Sequence, residues 1–168
     1  VLAGYIIEKV SGKTYAEYIQ TEIFDKLAMT NSGYGQNRIG YDNFAQGYGN
    51  DSAVREISMS VPYAAGALVS SVNDLYKWHL GIKNRVLISE AATQKMHTVG
   101  LNGYALGWNI RFNNKGEAYY QHGGGIDGFI SYILRTENSN YFVAVLANEE
   151  EFPSGKLTQN IMSFVDDD

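Results

Sequence analysis

The residues best suited to chemistry in this 168-residue chain lie in the run YYQHGGGID, residues 119–127. A histidine side chain gains or loses a proton near neutral pH, so His122 is a candidate acid, base or polar anchor. The glycines that follow leave the backbone bare, which lets a ligand approach its N–H donors closely. The same residues are also typical of a tight turn beside a surface histidine, because glycine clusters usually mark turns.

The glycines of this run also match the dinucleotide-binding pattern G-x-G-x-x-G, at Gly123, Gly125 and Gly128. That pattern binds a nucleotide only between a strand and a helix, because the helix N-terminus contacts the pyrophosphate. The next residues, FISYILRT (129–136), are rich in β-branched and aromatic side chains and predict a strand instead. A nucleotide site is therefore disfavoured, and we predict no cofactor.

Other patterns of catalytic or metal chemistry are weak. The three histidines, His79, His97 and His122, are far apart and none occurs in H-E-x-x-H, so no metal site is predicted. We expect His79 to lie on a helix surface or to pack inside, and His97 to close a helix, where a positive charge suits the dipole. SGKT (11–14) lacks the first glycine of a phosphate loop, and G-x-S-x-G is absent.

Composition excludes several functional classes. The net charge is −5 and no basic cluster exceeds two residues, which argues against nucleic acid as a partner. The absence of cysteine rules out disulfides, thiolate metal sites and a cysteine nucleophile. No run of about 18 apolar residues occurs, so no transmembrane segment is predicted. Hydrophobic residues make up 45% of the chain, which is enough for a sizeable core.

Residues 1–100 are predicted to be mainly helical around a long irregular connection at 30–66. The first helix is apolar from its start and has no cap ahead of it, so we expect further residues to precede Val1 in the parent protein. The other predicted helix boundaries are a capping box at Thr14 and Glu17, a start at Ser70 or Ser71 with an end at Gly81, and a span from Ser89 to about His97.

Residues 101–168 are predicted to form an antiparallel sheet with a closing helix. Strand-like runs alternate there with short turns. The last run is apolar on both faces, so helices should cover both sides of the sheet. The predicted fold class is therefore α+β, with helices followed by the sheet. The predicted strands are 103–112, 117–122, 129–136 and 141–147, and helix 154–165 should face the sheet with Leu157, Ile161, Phe164 and Val165.

Four stretches of the chain occur in a specific order and spacing: residues 2–34, which end in KLAM and a short tail; AAGALVSSVNDLYKW (64–78); YALGW (104–108); and HGGGIDGFISYI (122–133). Together they resemble the C-terminal portion of the serine β-lactamase and penicillin-binding-protein superfamily, in its class C-like branch of esterases and D-amino-acid peptidases. The resemblance implies a β-lactamase/transpeptidase-like fold whose N-terminal part lies outside this sequence. It also implies a periplasmic or secreted protein.

The chemistry of that family rests on three motifs. In the first, S-x-x-K, a lysine helps activate a nucleophilic serine, and no lysine here has a serine three residues before it. The second, Y-x-N or S-x-N, precedes the helix that begins here at Val1. Three later matches are interpreted as loop anchors or a helix cap: Tyr41-Asp42-Asn43, Tyr48-Gly49-Asn50 and Ser71-Val72-Asn73.

The third motif, K-T-G or H-x-G, matches His122-Gly123-Gly124. By resemblance, the N–H of Gly125 would form an oxyanion hole with the nucleophile's own N–H. His122 would polarise the site or position a substrate carboxylate, and Gly123 and Gly124 would lie along the substrate. A histidine in place of lysine is not always charged, and a glycine in place of threonine has no hydroxyl. Both changes favour an ester or peptide substrate over a β-lactam.

The resemblance thus implies a fragment of a bacterial serine hydrolase that acts through an acyl-enzyme on a small-molecule or peptide substrate. The fragment alone should be inactive, because the nucleophile lies outside it, and should bind the missing N-terminal half. The first helix and the sheet should expose apolar faces that this half covers. A second hypothesis is a non-catalytic binding module that keeps the fold and its groove, for cell-wall peptides or an inhibitor-like partner.

Overall fold

The computed structural model describes residues 1–35, 44–55 and 57–166, and it begins with two helices. α1 (Leu2–Ser11) ends at Gly12, whose φ of 72° is typical of helix ends. α2 (Tyr15–Ile19) opens with the predicted capping box, in which the hydroxyl of Thr14 and the carboxylate of Glu17 each accept from the other's backbone N–H. A π-helical turn, which the sequence did not predict, continues α2 over Gln20–Phe24.

The predicted irregular connection contains short elements. They are β1 (Gly33–Tyr34), β2 (Tyr48–Gly49), β3 (Ser52–Ala53), a 3-10 turn (Tyr63–Ala65) and β4 (Leu68–Val69). β2 and β3 form a hairpin, and β4 pairs antiparallel with β1. The two ends of the connection therefore meet, and the chain returns to the helices before α3 begins.

A buried carboxylate ties the third helix, α3 (Val72–Lys83), to the segment that follows α2. The Asp74 carboxylate accepts from the Asn31 N–H at 2.7 Å, from the Ser32 hydroxyl at 2.9 Å and from the Lys77 ammonium at 2.8 Å. Burial opposes its ionisation, yet these hydrogen bonds, led by that of Lys77, hold the pKa of Asp74 below its usual value. The ionised side chain thus anchors the start of α3.

The predicted start of α3 is confirmed and its predicted end is wrong. Ser71 caps the helix, and its hydroxyl accepts from the N–H of Asp74. Gly81 lies inside the helix, where an added Cβ would be 2.6 Å from a Leu27 methyl carbon, so the glycine allows a close contact and does not end the helix. α4 (Glu90–His97) begins after the predicted cap.

A four-stranded antiparallel sheet follows, in the order β5-β6-β7-β8. Its strands are β5 (Asn109–Phe112), β6 (Ala118–Ile126), β7 (Phe129–Thr136) and β8 (Phe142–Ala147). β5 is shorter than the predicted 103–112, because Leu101–Gly103 forms a 3-10 turn. The Ala105 N–H then bonds the Trp108 carbonyl at 2.8 Å across a turn in which Gly107 has a φ of 82°.

Helices cover both faces of the sheet, as the apolar last strand predicted. On one face, the Phe142 ring stacks on His79 of α3 with 4.8 Å between ring centroids. On the other, Tyr132 packs on Gly155 of the C-terminal helix, where an added Cβ would be 3.1 Å from the tyrosine ring. Tyr132 is paired with Val145, three residues along β8 from Phe142, so the two contacts lie on opposite faces.

The C-terminal helix, α5 (Ser154–Asp166), turns a different side to the sheet from the one predicted. Ser154, Thr158 and Met162 are buried, whereas the predicted contacts Leu157, Ile161 and Phe164 are 38%, 38% and 79% exposed. Val165 is half-buried. The close approach of Tyr132 at Gly155 leaves little room for a side chain there, and the inner side of α5 is formed by Ser154, Thr158 and Met162.

Two hydrophobic clusters form the core, and α3 joins them. One contains residues of the helical part, namely Tyr15, Ile19, Phe24, Met29, Tyr34, Met59 and Ala67, and the other contains Ala105, Trp108 and Ile110. Trp78 of α3 packs against both and stacks on Trp108 with 5.8 Å between centroids. The proposed division near residue 100 stays a prediction. Among the described helices, none is long and apolar enough to cross a membrane.

Candidate active site

The glycine-rich run forms the second half of β6 and is not a turn. Gly123, Gly124 and Gly125 pair with Tyr132, Ser131 and Ile130 of β7, in that order. The chain reverses after them, and β7 begins directly beyond Gly128, whose φ is 80°. The dinucleotide pattern therefore lacks the helix that it needs, as the sequence predicted.

The backbone of this run lies at a sheet edge. The Asn113 N–H donates to the Glu117 carbonyl at 3.0 Å across the β5–β6 turn. Because alternate residues of a strand direct their backbone groups to the same side, Gly123 and Gly125 direct theirs to the β5 side, as Glu117 does. β5 pairs with β6 only as far as Gln121. The N–H and C=O groups of Gly123 and Gly125 therefore point to the edge beyond β5.

The three glycines differ in the room beside them. An added Cβ would be 3.0 Å from the Tyr132 ring at Gly123 and 2.9 Å from the Ser131 hydroxyl at Gly124. At Gly125 it would have no described heavy atom within 4 Å. All three glycines are exposed. A ligand can thus reach the backbone of Gly125 more closely than it could beside a larger residue.

The imidazole of His122 is held by hydrogen bonds at both ring nitrogens. Its Nδ1 is 2.7 Å from the carbonyl oxygen of Gly123, and a carbonyl only accepts, so Nδ1 carries a proton. Its Nε2 is 3.1 Å from the Tyr104 hydroxyl. In the neutral ring Nε2 is then the acceptor and the tyrosine donates. Both nitrogens of the ring are therefore engaged within the chain.

Tyr104 is a site neighbour that the sequence analysis did not single out. It is the first residue of YALGW, a stretch that entered only as part of the family resemblance. Its N–H donates to Leu101 and its carbonyl accepts from Gly100, at 3.0 and 2.8 Å. An antiparallel bridge to Asn109 places it at the start of β5, beside the edge of β6.

His79 and His97 lie away from this edge, around a buried arginine. Arg135 is fully buried, and its Nε and Nη1 groups donate to His79 Nδ1 at 3.3 Å and to His97 Nε2 at 3.2 Å. Its guanidinium carbon also lies 5.8 Å from the centroid of the Tyr120 ring. The packed placement of His79, one of the two predicted, is thus the correct one.

These surroundings lower the pKa of both histidines. Burial, reinforced by the charge of Arg135, lowers the pKa of His79 to about 4. Burial also lowers the pKa of His97, although the Glu137 carboxylate opposes this effect. His97 does end α4, as predicted, and its Nδ1 lies 3.0 Å from the Glu137 carboxylate.

The other candidate residues have structural roles where they are described. Ser71 caps α3, and the Tyr48 N–H donates to the Asn148 carbonyl at 2.9 Å, which anchors the β2–β3 hairpin. Tyr41-Asp42-Asn43 lies outside the described residues. Across residues 1–35, 44–55 and 57–166, no group of three or more His, Cys, Asp or Glu side chains is arranged to hold a metal ion.

Comparison with known families identifies the family to which this chain belongs. The family model described as Beta-lactamase matches residues 1–163. The chain belongs to the Beta-lactamase family. Protein flp of Staphylococcus aureus (strain MRSA252) is 29% identical to it over 172 residues, which is 95% of this chain and 34% of that protein. The chain therefore spans about a third of the length of this relative.

Solved structures show the same fold. The octameric penicillin-binding protein homologue from Pyrococcus abyssi superposes with a TM-score of 0.83 at 32% identity, over 98% of this chain and 40% of that one. A D-stereospecific amidohydrolase from Streptomyces sp. gives a TM-score of 0.73 at 24% identity, over 89% of this chain and 48% of that one. At that identity the second likeness shows the fold alone. The family match and the first of these likenesses establish the predicted superfamily, and both likenesses agree with the α+β class.

Proposed function

We propose that this chain supplies the substrate-binding edge of a serine hydrolase that acts through an acyl-enzyme. The observation that carries the proposal is the exposed end of β6, where the backbone groups of Gly123 and Gly125 point away from β7 beside His122. Membership of the Beta-lactamase family supports it. The chain has no serine three residues before a lysine, so the proposed nucleophile belongs to another part of the complete gene product.

In the proposed reaction a serine oxygen attacks the carbonyl carbon of an ester or amide. The carbonyl oxygen becomes negatively charged, and the Gly125 N–H donates a hydrogen bond to it. The leaving group departs with a proton and leaves an acyl-serine, which water then hydrolyses. Gly123 and Gly124 let the substrate lie along the strand, since neither carries a side chain that would block it. The pair of His122 and Tyr104 forms the polar wall of this edge.

We propose esters or peptides as the substrate class, in preference to β-lactams. His122 takes the place of the permanently charged lysine, and both its nitrogens are engaged within the chain. Gly123 has no hydroxyl that could donate a hydrogen bond to a substrate carboxylate. The fold is shared with a D-stereospecific amidohydrolase, which is compatible with amide substrates. Efficient turnover of β-lactams by the complete gene product, with little cleavage of esters or peptides, would contradict this choice.

Activity-based labelling tests the proposal. The complete gene product should react with a fluorescent fluorophosphonate or a fluorescent penicillin, and residues 1–168 alone should not, because they lack the S-x-x-K motif. Residues 1–168 mixed with the rest of the gene product should recover labelling if the two parts associate. Labelling of residues 1–168 alone would refute the assignment. A complete gene product that takes up no probe would favour a non-catalytic binding module.

The location of the protein is a separate part of the proposal. The family resemblance favours the periplasm or secretion. Fractionation of cells that express the complete gene product, followed by detection with an antibody against residues 1–168, tests it. Recovery in the cytoplasm alone would refute this part and leave the proposed reaction unaffected.

A further inference from the structure

Tyr104 and His122 form a hydroxyl–imidazole pair at the edge of β6. The Tyr104 hydroxyl is 3.1 Å from His122 Nε2, and the ring planes meet at 68° with 6.1 Å between centroids. The opposite ring nitrogen is 2.7 Å from the Gly123 carbonyl. The imidazole therefore lies between a donor on one side and an acceptor on the other.

This arrangement permits one neutral tautomer. The carbonyl of Gly123 requires a proton on Nδ1, which leaves a lone pair on Nε2 for the Tyr104 hydroxyl. In the other tautomer, Nε2–H could still donate to the tyrosine oxygen, but the Nδ1 lone pair would face the lone pairs of the carbonyl oxygen. The ring would then lose its bond to Gly123. The Gly123 carbonyl points to the sheet edge. The tautomer of His122 therefore decides whether this carbonyl accepts a hydrogen bond from the imidazole.

The position of Tyr104 is fixed by the chain around it. Its backbone takes part in two hydrogen bonds and the bridge to Asn109. The next residue, Ala105, is buried, and so is Trp108, which is 3% exposed and stacks on Trp78. The Tyr104 side chain itself is 42% exposed. These backbone contacts thus place the Tyr104 hydroxyl at the edge of β6, while the residue stays partly exposed to solvent.

We propose that Tyr104 is the positioning residue of His122: by donating to Nε2, its hydroxyl reinforces the Nδ1–H tautomer that the Gly123 carbonyl selects, and so keeps the ring on that carbonyl at the substrate edge. This inference rests on the proposed function only for its catalytic consequence. The tautomer itself is a property of the folded chain and can be measured whether or not the protein is a hydrolase.

The test compares Tyr104→Phe with Tyr141→Phe in the complete gene product. Tyr141 is the matched control, because its side chain is 41% exposed and lies at the β7–β8 turn. Nitrogen NMR of ¹⁵N-labelled histidine, with the His122 signals assigned by their loss in His122→Asn, reports the tautomer. We expect Nδ1–H in the wild type and in Tyr141→Phe, and a shift toward Nε2–H in Tyr104→Phe. A pure Nδ1–H ring in Tyr104→Phe would overturn the inference.

The second readout is the rate of fluorophosphonate labelling. Tyr104→Phe should slow it about five- to ten-fold, the factor expected for one lost hydrogen bond, and Tyr141→Phe should not. Thermal unfolding of both variants separates this effect from loss of the fold. Equal labelling rates in the two variants would refute the positioning role while leaving the proposed function in place. If no form of the gene product is labelled, the proposed function fails, and the NMR result still decides the tautomer.

Discussion

At Gly125 the backbone, and not a side chain, carries the proposed chemistry. Gly125 is one of the odd-numbered residues of β6, whose N–H groups point away from β7 and toward the sheet edge. This N–H therefore forms no hydrogen bond to β7. Glycine is not required there by φ or by a close neighbour, since an added Cβ would have no described atom within 4 Å. The N–H group can therefore be removed without breaking the sheet, which makes this residue a direct test of the site.

Gly125→Pro should abolish the donor and slow fluorophosphonate labelling of the complete gene product by about 10²- to 10³-fold. Proline is tolerated in a strand where its nitrogen faces an open edge, so the fold should survive. Gly125→Ala keeps the N–H, so its labelling rate should fall much less. Circular dichroism and thermal unfolding check that both variants are folded. Equal labelling rates for the two variants would show that the Gly125 N–H is not the donor.

At the scale of elements, the contact between α3 and the sheet depends on an uncharged His79. His79 accepts from Arg135 and stacks on Phe142, so protonation would remove an acceptor and place a second positive charge beside the guanidinium. Lys83 adds to this repulsion and Glu137 opposes it. The pKa of His79 is about 4 in the folded chain, against a reference value of about 6.5.

The unfolded state therefore binds more protons than the folded state between these two values, and stability should fall as the pH falls. The contribution of His79 is fully present above about pH 6.5, and we expect a loss of about 2 kcal/mol between pH 7 and pH 5. Urea unfolding at a series of pH values measures it. His79→Gln keeps an acceptor without titrating and should show a shallower slope, whereas Tyr76→Phe should keep the wild-type slope. Identical slopes in all three proteins would contradict the role of His79.

The elements differ in how far their sequence determines them. Local signals placed the Thr14 capping box and β7, because a cap and an alternating strand depend on neighbouring residues. The inner side of α5 was missed, since the buried residues there include the polar Ser154 and Thr158, which the apolar pattern does not select. In the sequence, Gly81 is typical of a helix end. Only the structure shows that Leu27 packs against it, a contact that the glycine allows inside the helix. The glycines of β6 were ambiguous for the same reason: only the pairing partners distinguish a strand edge from a turn.

At the scale of the whole molecule, α1 and α5 each leave several apolar side chains exposed. α1 exposes Leu2, Ile6 and Val10, at 71%, 51% and 83%, and α5 exposes the side chains described above. Apolar patches of this kind mark surfaces that contact another chain or another part of the same protein. The chain also spans only about a third of the length of the relative described above. Both observations agree with the expectation that the α1 face is covered in the complete gene product, whereas the sheet, for which an exposed apolar face was also expected, packs against α3 and α5.

We expect residues 1–168 alone to self-associate with rising concentration, because the α1 face would be removed from water. Size-exclusion chromatography with light scattering measures the mass. Replacing Leu2, Ile6 and Val10 by serine together should shift the protein toward the monomer. Leu101→Ser, which removes a single apolar side chain that is 89% exposed on a turn, should not. A triple variant that associates as strongly as the wild type would exclude α1 as the contact.

The two ends of β6 also differ in how much extra chain they can accept. At the β6–β7 turn, the Gly128 N–H donates to the Glu150 carboxylate at 2.8 Å, and Gly47 lies against it, so other parts of the chain enclose the turn. At the β5–β6 turn, Gly116 is exposed and has space beside it. Insertions are tolerated at exposed loop tips. A peptide tag or fluorophore can therefore be placed at 114–115, whereas the length of the 127–128 turn is constrained by the segments packed around it.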